Sequence, residues 1–236
     1  MKNQYFGDIN DYRKYGLLRC FLDTGMRIGV CWMLTPPDGR PDGNKIMYLS
    51  RPDEWRRRDP QLFDVLQTAA ARKQRHVSGL ERSGLLPAAK FYSEPLCDDT
   101  HRRVAYFNTA LKALEDTDLL FFDPDTGLEV SSVPYGQSGS SRYLYWREVE
   151  EAGRRGGSLV VFQHWKRENR VSMAARLSAD FARHMPPGTV VIPIFTDFVL
   201  FLCACAPKHA ERFEETLGLV ALRWDGELLA YQIEAT

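Results

Sequence analysis

Three features of the chain predict an α/β fold with a mostly parallel sheet, helices on both faces and a C-terminal antiparallel hairpin. Short apolar runs recur, separated by segments of helical periodicity, the order that builds parallel strands joined by crossovers. The runs VVIPIF and FVLFLCACA are separated only by Thr196 and Asp197, too little chain for a crossover and suited to a hairpin. The 236 residues, 44% hydrophobic and 26% charged, suffice for a single domain spanning 1–236 and exclude disorder, collagen and coiled coil.

The elements follow in order. Residues 11–22 place Leu17, Leu18, Phe21 and Leu22 at helical spacing before Asp23, Thr24 and Gly25 stop the helix. RIGVCWML (27–34) reads as the first strand, TPPDGRPDGN as turn chemistry and KIMYL as a short strand. Residues 51–86 look helical, divided by Pro60, Gly79 and Gly84, so that 45–89 forms a helical insertion. KFYSE (90–94) is a weak strand, 101–114 a helix and DLLFFD (118–123) a buried strand. VPYGQSGSSR forms a surface loop, and a helix at 146–155 precedes the strand SLVVFQHW. A helix at 171–184 precedes TVVIPIF; after the hairpin come a helix at 208–217 and two short apolar segments, ALRW and LLAYQI, joined at Asp225 and Gly226.

Lys plus Arg and Asp plus Glu each number 31, so no global basic field draws in nucleic acid and any polyanion must meet a local patch. The Arg-dense stretches RPDEWRRRD and ARKQRH either form such a patch or are solvated helix faces. Five cysteines without zinc spacing read as reduced core thiols, with Cys203 and Cys205 on one strand face. No apolar signal core opens the chain and no run reaches membrane-spanning length, so a cytoplasmic protein without a membrane partner is expected.

Ligands of open parallel sheets bind beyond the carboxyl ends of the strands, where strand order reverses. Four successive strands end on polar groups: Glu94; Asp123, Pro124, Asp125 and then Glu129; Gln163, His164, Trp165 and Lys166; Thr196 and Asp197. Pro124 stiffens the presentation of Asp123 and Asp125, which serve either as metal ligands or proton-handling groups, or as an Asx turn closed by Gly127. His164 reads as a base, a ligand or a stacking ring, with Trp165 as a base stacker and Lys166, Arg167 and Arg170 as phosphate contacts. The N-terminal run QYFGDINDYRKYGLLR mixes aromatic, acidic and basic residues and either folds over the ligand site or packs on the sheet.

The order of features resembles class I methyltransferases of Rossmann-like fold and DPPY type, in layout the bacterial large-subunit ribosomal RNA adenine methyltransferases. FFDPDTG stands where that family has its Asp-Pro-Pro-Tyr motif, NDYRKYGLLR where it has an N-terminal helix with Asn and Lys, and SLVVFQHWKR at its following strand. The resemblance implies methyl transfer from S-adenosylmethionine to a base amine of RNA or DNA. It makes Asp123, Pro124, Asp125 and His164 catalytic, gives Asn10, Lys14, Thr35 and Glu94 to the cofactor, and gives Trp165, Lys166, Arg167 and Arg170 to the substrate. The chain departs from the motif with Asp125-Thr126 in place of Pro-Tyr, and with Pro36 and Pro37 where a Gly-rich turn is wanted. A second reading therefore stands beside the first: a nuclease or phosphodiesterase using Mg or Mn on Asp123, Asp125, Glu129 and Asp197.

Overall fold

The computed structural model describes residues 1–37 and 43–230. Helix α1 (Ile9–Asp23) starts at Asp8, whose carboxylate accepts from Asn10 N at 2.8 Å and Asp11 N at 3.0 Å. It ends where Gly25, at φ +77, turns the chain left-handed and Met26 N donates back to Phe21 O at 3.3 Å. Strand β1 (Ile28–Cys31) follows and is shorter than predicted, because Met33 takes φ +46 and only a bridge from Leu34 to Pro95 continues the pairing. Residues of KIMYL enter not a strand but a 3-10 turn over Met47–Ser50, whose Tyr48 and Leu49 face the core. The segment up to Leu86 holds α2 (Pro52–Trp55), α3 (Pro60–Ala71) and α4 (Ser78–Arg82), divided near the predicted breakers.

Strand β2 (Lys90–Tyr92) and helix α5 (Thr100–Ala113) lead to β3 (Leu119–Phe122). Two short strands, β4 (Gly127–Leu128) and β5 (Tyr143–Leu144), pair in parallel and bracket the loop. Then come α6 (Trp146–Gly153), β6 (Ser158–His164), α7 (Arg170–Arg183), β7 (Val190–Phe195), β8 (Val199–Cys205), α8 (Ala210–Arg223) and β9 (Leu229–Ala230). ALRW is not a separate strand: its first three residues finish α8, and Trp224 caps it. Of LLAYQI, residues 231–233 lie outside the described residues.

The main sheet has the order β2-β1-β3-β6-β8-β7-β9. Strands β2, β1, β3 and β6 run parallel, and β8 is antiparallel to both neighbours, β6 and β7, so the hairpin predicted at Thr196-Asp197 is present. Chain order reverses between β1 and β3, since β2 lies on one side of β1 and β3 on the other. Alternate strand residues feed two cores. Val30, Phe121, Val160 and Cys203 face the layer of α1, α3 and α8; Cys31, Phe122, Val161 and Leu202 face that of α5, α6 and α7. The cysteines are free thiols, Cys203 and Cys205 on the same face. Among the described residues no helix is long and apolar enough to cross a membrane.

Arg103 of α5 fastens the loop before α6. Its buried guanidinium donates to Glu148 at 2.6 and 2.9 Å, to Ser140 O at 2.8 Å and to Tyr143 O at 2.6 Å, and lies 4.8 Å from the Tyr145 ring centroid. Arg142 is thereby carried to the carboxyl end of β3, where it meets Asp125 at 3.5 Å.

Gly16 of α1 packs against Trp224, the residue that ends α8, so closely that a Cβ would lie 1.8 Å from the indole. The buried indole has little room to yield. Gly16→Ala is therefore expected to destabilise the fold by about 1–3 kcal/mol in urea denaturation, against the ~1 kcal/mol that alanine gains in an open helix. A variant as stable as the parent would show that this contact is loose.

Candidate functional site

At the point of strand-order reversal lies a cleft of ≈ 360 Å³, floored by Asp123, Pro124, Asp125 and Thr126 after β3 and by Phe162 and His164 of β6. Its roof is the N-terminal segment, Met1 to Tyr5 and the first turns of α1, so the chain start both packs on the sheet and covers the site. Lys14 makes the join. Its ammonium donates to Asp11 at 2.8 Å and to Asp123 at 2.7 Å and lies 4.7 Å from the centroid of Phe162. Asp11 also accepts from the Tyr15 hydroxyl at 2.9 Å, which fixes the carboxylate from behind. On the other side Lys2 donates to Asp125 Oδ2 at 2.9 Å, the same oxygen that Arg142 approaches.

Across the floor and roof, three side-chain atoms have no hydrogen-bond partner among the described residues: Asn10 Oδ1, Asp125 Oδ1 and Thr126 Oγ1. Buried acceptors left unmade cost about 1–3 kcal/mol each. Each is able to take a hydrogen bond from a molecule in the cleft. His164 adds a ring that makes no hydrogen bond among the described residues and packs edge-on to Phe162 at 4.9 Å.

Burial sets the protonation states. It pushes the His164 imidazole down to about 4, so the ring is neutral at pH 7, one nitrogen accepting and the other donating. Burial opposes the charge on Lys14, yet Asp11 and Asp123 outweigh it and raise the ammonium above its ordinary range. One ammonium shared by two carboxylates leaves an acid in excess, and burial raises Asp123 despite Lys14. Asp8, also on the cleft wall, is lifted to about 7 by burial first and by the charge of Asp11 second.

The predicted residues separate into two groups. Asp123, Pro124, Asp125, His164, Asn10 and Lys14 converge on the cleft. The others do not line it. Glu129 accepts from Trp146 N at 2.9 Å and caps α6; Asp197 sits exposed on the β7–β8 turn, 3.8 Å from Arg13. Neither joins Asp123 and Asp125, and among the described residues no cluster of three metal-ligating side chains occurs. Glu94 is exposed, and Thr35 is tied through its backbone N–H to Met1 O at 2.9 Å. Trp165 donates to Thr196 O at 3.0 Å and packs on Phe195, with Arg170 over its face at 5.5 Å, while Lys166 and Arg167 point to solvent. The Asx turn is not formed, since each aspartate of Asp-Pro-Asp takes a lysine instead.

Sequence reasoning did not single out Lys2, Tyr5, Lys45, Thr126 or Arg142 as lining residues. A signal for the roof was available: Asp11, Arg13 and Lys14 fall within one turn of a helix that carries apolar or aromatic residues on all its faces, including Ile9, Tyr12, Tyr15, Leu17 and Leu18, so that burying the helix takes charges inward. Arg142 carried no such signal, being one polar loop residue among many. No family model matches the chain, and neither a curated protein nor a solved structure matches it.

Asp8 offers a direct check on the electrostatics. Its folded-state value of about 7 exceeds the ordinary 3.8, so its contribution to stability is complete below pH 3.8 and is lost as pH rises through 7. Asparagine caps a helix equally well and does not titrate. Asp8→Asn should gain in melting temperature over the parent between pH 4 and 8, the margin levelling off above 7; a margin independent of pH would contradict the assignment.

Proposed function

We propose that the protein is an enzyme acting on nucleic acid, and that the cleft receives a base bearing an exocyclic amine. The observation that carries this reading is the set of unpartnered acceptors, Asp125 Oδ1 and the Thr126 hydroxyl on the floor and Asn10 Oδ1 on the roof. A ring with amino hydrogens supplies the donors they lack. The volume of ≈ 360 Å³ suits a nucleoside, and Phe162 and His164 offer ring faces and edges to a flat ligand. In this reading Asp125 accepts from the amine and draws its hydrogen away, which raises electron density on the nitrogen. Asn10 and Thr126 fix the plane of the ring, and the Lys14 ammonium holds Asp123 and the roof in place.

The resemblance implies S-adenosylmethionine as methyl donor, and the described residues do not fit it. Of the four side chains assigned to the cofactor, only Asn10 presents an unpartnered atom: Lys14 is spent on two carboxylates, the Thr35 hydroxyl is 3.4 Å from Met1 O, and Glu94 lies away from the cleft. No step is routed through the donor. The functional reading rests on the base site, and methyl transfer to the amine is the chemistry that the resemblance adds to it.

Calorimetric titration separates these points. Adenosine and cytidine, which carry the amine, are expected to bind at least about 10-fold more tightly than inosine and uridine, because analogues without the donor leave the acceptors unpaired. Asp125→Asn should remove that preference and, because it also strands Lys2, melt below the parent while keeping the parent's circular dichroism spectrum at 25 °C. Equal binding of all four nucleosides would overturn the base site. S-Adenosylmethionine binding far tighter than adenosine would show recognition of its methionine end and overturn the misfit.

A further inference from the structure

Several surface arginines are neutralised: Arg56 by Asp64, Arg176 by Glu168, Arg183 by Asp180 and Arg223 by Asp23. Arg72, Lys73 and Arg82 are among those that are not, and they lie together. All three are exposed, none has an ion-pair partner among the described residues, and all line one open groove of ≈ 890 Å³ where α3 ends and α4 begins, together with His76. The groove's one acid among the described residues, Asp64, has both oxygens taken by Arg56 at 2.7 Å. The groove is therefore basic in a chain whose formal charge is zero.

Two further observations give it direction. Arg75, in the groove, donates to Phe6 O at 2.7 Å, to Asn44 Oδ1 at 2.8 Å and to Gly43 O, and Gly43 also lines the cleft. The Arg75–Gly43 hydrogen bond thus joins groove and cleft. Lys73 is held at φ +54, a conformation where glycine or asparagine is the ordinary choice after a helix. The C-terminal end of α3 favours cations there and neutralises none of them.

We propose that this groove carries the phosphate backbone of the nucleic-acid strand whose base enters the cleft. Arg72, Lys73 and Arg82 meet successive phosphates, and the Arg75 strut keeps the groove aligned with the cleft rim. The charge pattern suits a polyanion read by its backbone, with the cleft and not the groove selecting the base. This inference rests on the base-site reading above.

The test is fluorescence anisotropy of a labelled 20-nucleotide single-stranded RNA, titrated with the full chain at several salt concentrations. For R72Q/K73Q/R82Q the slope of log affinity against log salt should fall by about 2, with binding about 100-fold weaker at 0.1 M salt, since each lost contact to a single strand removes ~0.7 from the slope. The same variant should bind adenosine as the parent does and melt at the same temperature. An unchanged slope overturns the groove, as does RNA binding absent from the parent while vesicles rich in phosphatidylserine are bound. Failure of adenosine to bind the parent, with the RNA slope reduced in the variant, would overturn the base site and leave the groove standing.

Discussion

The buried ammonium of Lys14, bonded to Asp11 in its own helix and to Asp123 beyond β3, is the contact on which the rest of the site depends. A lysine taken out of water costs several kcal/mol unless it is paired, and here two carboxylates offset that cost. The pairing fixes α1 over the ends of β1, β3 and β6, and so gives the cleft a roof. It also occupies Asp123, the residue that the Asp-Pro motif advertises most strongly, and leaves Asp125, Thr126 and Asn10 as the cleft residues with an unpartnered polar atom among the described residues. The N-terminal nitrogen strengthens the same seam, donating to Met33 O at 3.2 Å and Asp123 O at 2.9 Å.

The fold was legible because its signals are local and apolar. Buried runs such as LLFF and VLFLCAC allow few alternatives to strands, and two residues between VVIPIF and FVLFLC leave room only for a hairpin. KIMYL misled because a short apolar run fits either period, and packing of Tyr48 against Tyr12 at 5.2 Å decided for a turn of helix. ALRW misled because the turn residues after it mark the end of a helix as well as of a strand. The site was legible only in part. Asp123, Asp125 and His164 were found from strand ends, whereas Glu129 and Asp197 share that description and proved to be a helix cap and an exposed turn residue. Strand ends say where groups start, and only the tertiary path of the following residues decides which converge.

Charge is distributed with a clear division of labour. Buried cations, Lys14 and Arg103, are paired and position elements; exposed arginines such as Arg154 and Arg183 pair at the surface, where such contacts contribute little to stability. Among the described residues, unpaired cations line the α3–α4 groove and unpartnered polar atoms line the cleft, and the Arg75–Gly43 hydrogen bond links the two.

The most direct test of the central claim is a double-mutant cycle on Lys14 and Asp123, read by urea denaturation. Lys14→Met and Asp123→Asn should each cost about 3–5 kcal/mol by stranding a buried partner, and the double variant should fall short of their sum by at least ~2 kcal/mol. Additivity within about 0.5 kcal/mol would mean that the two residues do not hold one another, and that something else seats α1 on the sheet.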